Sequence, residues 1–125
     1  MIKVTLNENN GIALLEPIEK LSEEDFKQVS MVIDPYIEKA GKLNGIIIYS
    51  KDFPYWENFA GFLGHMKFIK HHHKNLARVA LVTDSKLVNA AEHIAKHFVS
   101  AEIKKFPFDQ LENAEKWVPQ SRVLA

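Results

Sequence analysis

The chain contains no cysteine, which excludes disulfides, thiol nucleophiles and thiolate zinc sites. It has no surplus of charge, since 16 Lys and Arg balance 16 Asp and Glu. Nucleic-acid binders usually hold a basic excess, so that class is set aside. Its five glycines are scattered and leave no glycine-rich loop to cradle a phosphate. No apolar run approaches the roughly 18 residues of a membrane span. The opening Met-Ile-Lys-Val-Thr-Leu alternates like a strand and lacks a signal-peptide core. Ser50, Thr83 and Ser85 have no base and acid at a recognisable spacing. The expectation is a non-enzymatic, cytoplasmic chain without a cofactor.

Metal chemistry is the next candidate to weigh. His71, His72 and His73 are consecutive, so on a helix they point in three directions and cannot converge on one ion. His93 and His97 share a face at i, i+4, but a catalytic zinc site needs three ligands. Glu92 precedes His93, so the metalloprotease spacing is missing as well. No metal site is expected.

What is present suits one domain, residues 1–125, with 46% apolar content. Ile2, Val4 and Leu6 alternate as in a half-buried strand. Asn9-Asn10-Gly11 then turns the chain into a second strand at Ile12–Leu15, giving a hairpin. Ser22 reads as a helix N-cap followed by Glu23, Glu24 and Asp25, and Leu21 with Phe26 has staple spacing. Phe26, Val29, Ile33, Tyr36 or Ile37, and Ala40 follow helical spacing; Pro35 should kink the helix and Gly41 end it.

Residues 45–49 and 78–83 are continuous apolar runs, the pattern of strands covered on both faces. A helix over 54–75 separates them, and Leu87, Ala90, Ala91, Ile94 and Phe98 mark another. Residues 101–106 alternate as an edge strand. Asp109 and Glu112 suggest a capping box for a last helix, with Leu111, Ala114, Trp117 and Val118 inward and Pro119 stopping it. After the hairpin the order is α-β-α-β-α-β-α, an α/β layer fold with a mixed sheet of four to five strands and about four helices.

The 54–75 segment carries the functional signal. Trp56, Phe59, Ala60, Phe62, Leu63, Met66 and Ile69 cover about half of the helix circumference, whereas one-sided packing needs a stripe only somewhat over 100° wide. Gly61 and Gly64 lower its intrinsic stability. The segment reads as a mobile lid over an apolar pocket, with Phe53, Tyr55, Trp56, Phe59, Phe62, Leu63 and Met66 as ligand-binding residues. No acidic residue lies between Glu57 and Asp84. Lys67, Lys70, His71, Lys74 and Arg78 are therefore the candidates for contact with an anionic group or a membrane surface.

The order and motifs resemble the SpoIIAA-like family, a single-domain bacterial branch of the STAS fold. The resemblance rests on Asp52-Phe53 with Trp56, Phe68-Ile69 with His71-His72-His73, and Arg78 to Asp84. It continues through Ala101 to Lys104, Phe106, and Ala114 to Val118. It implies four or five strands with helices packed on one side, and no assigned enzyme activity. Better-known STAS proteins are anti-sigma-factor antagonists with a phosphorylated serine in Asp-Ser-Ser/Thr-Gly. The corresponding turn here, Tyr49-Ser50-Lys51-Asp52-Phe53, shares only the serine, so Ser50 is expected to stay unmodified. Two functions are carried forward. One is binding of a nonpolar or lipid-like ligand, with reversible peripheral association at the inner membrane. The other is a protein-interaction module that meets a regulatory protein through the Ser50 loop. A homodimer is a further candidate assembly.

Overall fold

The computed structural model describes residues 1–18, 22–41, 43–51, 76–84 and 102–118. The lid segment 54–75, the helix around 87–98, Leu21 and Pro119 lie outside them.

Strand β1 (Ile2–Asn7) pairs antiparallel with β2 (Ile12–Pro17). Gly11 closes the turn at φ +68°, donating its N–H to the Asn7 carbonyl at 2.9 Å. A Cβ is strained in that left-handed region, and glycine is not. Helix α1 (Glu23–Ala40) follows. Ser22 caps its start with a reciprocal box: Ser22 Oγ accepts from the Asp25 N–H, and Asp25 Oδ2 accepts from the Ser22 N–H at 2.8 Å. Gly41 ends it at φ +82°. The helix continues through Pro35 as one element. Of the two inward candidates, Ile37 is buried and Tyr36 is only half-buried, reaching the Glu8 carbonyl. Ala40, expected inward, is exposed in the final turn.

Strands β3 (Leu43–Tyr49), β4 (Leu76–Val82) and β5 (Glu102–Phe106) add in parallel beside β2. The five-stranded sheet of the described residues therefore runs β1-β2-β3-β4-β5. Pairing register sorts its faces, because partners across a ladder share a side. Ile2, Leu15, Ile48 and Leu81 fall on one face with Ala13, Ile46 and Val79. Helix α1 lays the buried Val29, Ile33 and Ile37 over it.

The opposite face carries Ile12, Ile47, Ala80, Val82 and Phe106, which cluster with Ala114 and Val118 of the last helix, α2 (Leu111–Trp117), and the residue after it. The expectation of helices on one side is thus corrected: α2 covers the other face over β3 to β5. That packing is close. A Cβ on Gly45 would run into Val118 Cγ1 and stand 2.7 Å from the Arg78 carbonyl oxygen.

The start of α2 also differs from the sequence reading. Pro107 leads a 3-10 turn, Phe108–Gln110, which contains Asp109, and Gln110 precedes α2 without a side-chain cap. No Asp109–Glu112 capping box forms. The turn is capped from elsewhere: Asp84 Oδ1 accepts from the Phe108 N–H at 3.0 Å. A carboxylate from the β4 end thereby takes the role the local sequence was expected to fill.

Candidate functional site

The three parallel strands β3, β4 and β5 finish along one edge of the sheet, and their last residues are bonded to one another. Ser50 N–H donates to the Val82 carbonyl at 3.1 Å, and Asp84 N–H to the Lys51 carbonyl at 3.1 Å. Thr83 is fully buried; its hydroxyl donates to that same Lys51 oxygen at 3.0 Å, and its N–H to the Phe106 carbonyl at 2.9 Å. The Asp84–Phe108 bond completes the tie between the second and third segments. The Tyr49 and Phe108 rings stack with centroids 4.6 Å apart and planes within 3° of parallel, joining the first segment to the third.

This rim has a preformed surface. Thr83, Asp84, Lys105, Phe106 and Pro107 line an open recess of about 250 Å³. Lys51, Asp84, Lys105 and Pro107 are exposed, and Ser50 is half-buried. Lys105 and Asp84 stand beside Phe106 and Pro107 in the recess, and Lys51 lies on the neighbouring strand end. In parallel sheets, ligands meet the protein beyond the carboxyl ends of the strands, and this rim occupies that position. The Thr83 hydroxyl proton is committed to a carbonyl, and the Asp84 carboxylate to a backbone N–H.

Among the proposed anion-contact residues, Arg78 is the one that falls within the described set. It sits on β4 beneath α2, with its side chain 14% exposed. Its guanidinium donates from NH1 to the Trp117 carbonyl at 2.6 Å, lies 4.4 Å from the centroid of the Trp117 ring, and pairs with Glu102 at 3.6 Å. The cation therefore closes the C-terminal end of α2, where carbonyls lack helical partners. Trp117, expected in the core, is half-buried between Arg78 and the edge of Phe106, whose ring centroid is 5.8 Å away.

Phe53, Tyr55, Trp56, Phe59, Phe62, Leu63, Met66, Lys67, Lys70, His71 and Lys74 lie outside the described residues, as do all six histidines. Among the described residues, no three His, Cys, Asp or Glu side chains gather as metal ligands, and no helix is long and apolar enough to cross a membrane. The sequence reading missed the rim's partnership of Tyr49, Lys51, Thr83, Lys105 and Phe108. The available signal was that each lies at or just beyond the carboxyl end of an apolar or alternating run.

This architecture is found in known proteins. The sequence matches the SpoIIAA-like family over residues 13–119. A crystal structure of an uncharacterized protein from the DUF3478 family, with a SpoIIAA-like fold, from Shewanella loihica PV-4 superposes with a TM-score of 0.60. That protein is 20% identical, and the alignment covers 94% of this chain and 92% of the other; at that identity the likeness concerns the fold. No curated protein matches the sequence. With a hairpin-led mixed sheet and a family match spanning β2 to the end of α2, the chain belongs to the SpoIIAA-like family, an α/β group of non-catalytic binding and regulatory domains.

Proposed function

We propose that the protein is an interaction module of the anti-sigma-factor-antagonist type, which docks a regulatory protein on the rim formed by residues 49–51, 83–84 and 105–108. The observation that carries this reading is the cross-bonding of the three strand ends. Thr83 and Asp84 each bond to both neighbouring segments. A surface held in this way loses little conformational freedom on binding, and this favours affinity. Lys51 and Lys105 supply charge at its border, where charges act mainly on association rate and partner choice. Ser50 serves as a backbone tie within the rim, without phosphorylation.

The test is affinity capture from extracts of the native cells, comparing the wild-type chain with a Lys51→Glu, Lys105→Glu double variant. A regulatory protein retained by the first and lost by the second, with unchanged circular dichroism, supports the reading. Equal retention by both would remove the rim from the interface. Phosphopeptide mapping should find Ser50 unmodified, and stoichiometric phosphate there would overturn that part of the proposal.

A second reading, a nonpolar or lipid-like ligand with reversible membrane contact, is favoured by the wide apolar arc expected of 56–69 and the acid-free stretch after Glu57. It places the protein in the cytoplasm, peripheral to the inner membrane. Native mass spectrometry followed by organic extraction would reveal a co-purifying lipid, and vesicle co-sedimentation near pH 6 at low salt tests the membrane arm. Absence of both signals would eliminate this reading.

A further inference from the structure

The outer surface of α1 has an apolar centre that the fold does not use. Met31 is 73% exposed and Val32 40% exposed. Pro35 and Gln28 are exposed beside them. Glu24 and Lys27 flank this patch on the N-terminal side and Glu38 and Lys39 on the C-terminal side, all exposed. At 100° per residue these eight positions span an arc of about 140°, opposite the buried Val29, Ile33 and Ile37. Among the described residues, none of the four charged side chains forms an ion pair within the chain. An apolar centre bounded by unpaired charges of both signs is an interaction surface in form.

The order of the charges identifies the occupant. We infer that a second copy of this chain docks here, with the two α1 helices antiparallel about a two-fold axis near Val32. In that arrangement residue i faces residue 64 − i of the partner. Glu24 then comes level with Lys39 of the partner subunit, and Lys27 with Glu38 of the partner subunit, each within about 1.5 Å along the axis, one residue's rise. Two-fold symmetry repeats both pairs, so all eight charges meet opposite charges. Met31 and Val32 fall at the axis, where each meets the same patch on the other copy, as an isologous interface requires. A parallel pairing in register would instead set like charges against like. The zero net charge of the chain adds no long-range repulsion between copies.

One helix face per protomer is less than the roughly 1,600 Å² of a standard stable interface. The dimer is accordingly weak and concentration-dependent, with a Kd of about 10–100 μM, the range expected for a small interface.

Sedimentation equilibrium of the purified chain, from about 5 to about 500 μM so as to bracket that constant, tests the inference. The wild type should pass from monomer to dimer, and 0.5 M salt, a concentration chosen to shorten the screening length, should shift it back. Met31→Lys, at a site already in solvent, should weaken association by about tenfold or more with unchanged circular dichroism. Lys27→Glu alone should weaken it, and adding Glu38→Lys in the same chain should restore it, because the pair is re-formed with reversed sign. A wild-type chain that stays monomeric throughout would overturn the inference, including the case in which another protein occupies this face. So would a dimer indifferent to Met31→Lys, or a double charge swap no better than the single one.

Discussion

Replacing Gly45 by alanine adds one methyl group at the point where α2 lies closest to the sheet. Elsewhere in a strand this change is mild, and loss of unfolded-state freedom favours alanine by about 0.4–1 kcal/mol. At Gly45 two obstacles oppose it. Val118 Cγ1 occupies the space, and the Arg78 carbonyl oxygen lies 2.7 Å from the new atom. Val118 is fully buried, and the carbonyl belongs to the residue paired with Gly45 across β3 and β4. Neither can move without disturbing the cluster beneath α2 or the ladder. Overpacking of this kind costs about 1–3 kcal/mol, and two hard contacts place Gly45 at the upper end. Subtracting the entropic gain leaves a net loss of about 2 kcal/mol.

Urea unfolding followed by far-ultraviolet circular dichroism measures this as a lower midpoint at unchanged slope. Val118→Ala alone should cost about 2–3 kcal/mol through lost apolar contact and a cavity. In the Gly45→Ala background it should cost at least about 1 kcal/mol less, since it also relieves the collision. Additive effects, or a Gly45→Ala protein as stable as the wild type, would refute the close approach of α2 to β3.

Three other outcomes follow from the same geometry. Arg78→Ala should lower stability by about 2–3 kcal/mol, from the lost charged hydrogen bond to the Trp117 carbonyl and the lost ring contact; a loss below 0.5 kcal/mol, the scale of an ordinary surface substitution, would show that Arg78 does not close α2. Thr83→Val should cost about 1 kcal/mol by removing one of the two donors to the Lys51 carbonyl, which keeps the Asp84 N–H, and hydrogen exchange of the Ser50 and Asp84 amides should quicken. The Ser22 N–H has the largest effect and holds the Asp25 carboxyl below its ordinary value; burial opposes it, and the N-terminal amine and the Ser22 hydroxyl add to the lowering. A depressed carboxylate stabilises the fold above its unfolded value near 3.9 and loses that contribution as pH falls through the lower folded value. Asp25→Asn should therefore flatten the acid side of the stability–pH curve, and identical wild-type and variant slopes below pH 4 would contradict the box.

Local patterns carried much of the architecture. The alternation of Ile2, Val4 and Leu6, the capping residues Ser22 and Gly41, and the apolar runs of β3 and β4 each act over a few residues, so the sequence displays them directly. The misread start of α2 has a non-local cause. Asp109 and Glu112 have suitable spacing, but Pro107 sets a 3-10 turn and the cap arrives from Asp84, 24 residues earlier. The Ser50 loop was legible, but its bonding to the β4 end was not, for the same reason: Thr83 and Lys51 meet across 32 residues of chain. The packing of Arg78 under Trp117 was not legible either, because its neighbours in sequence do not reveal that Trp117 lies over it. The exposure of Met31 and Val32 was equally invisible, since their apolar character alone does not distinguish core from surface.

The order β1-β2-β3-β4-β5 has a consequence for how the chain is made. Among the described residues, each strand after the first pairs with its immediate predecessor, and none inserts between two that already exist. During synthesis the hairpin can close first, and each later strand then meets an edge already present. The sheet can grow in the direction in which the ribosome delivers it, with no gap held open for a strand still to come. Among the described elements, α2 comes last and packs back across β3, β4 and β5. The docking of that helix is then the step that signals a completed sheet, and the fit of Val118 over Gly45 is where completion is read.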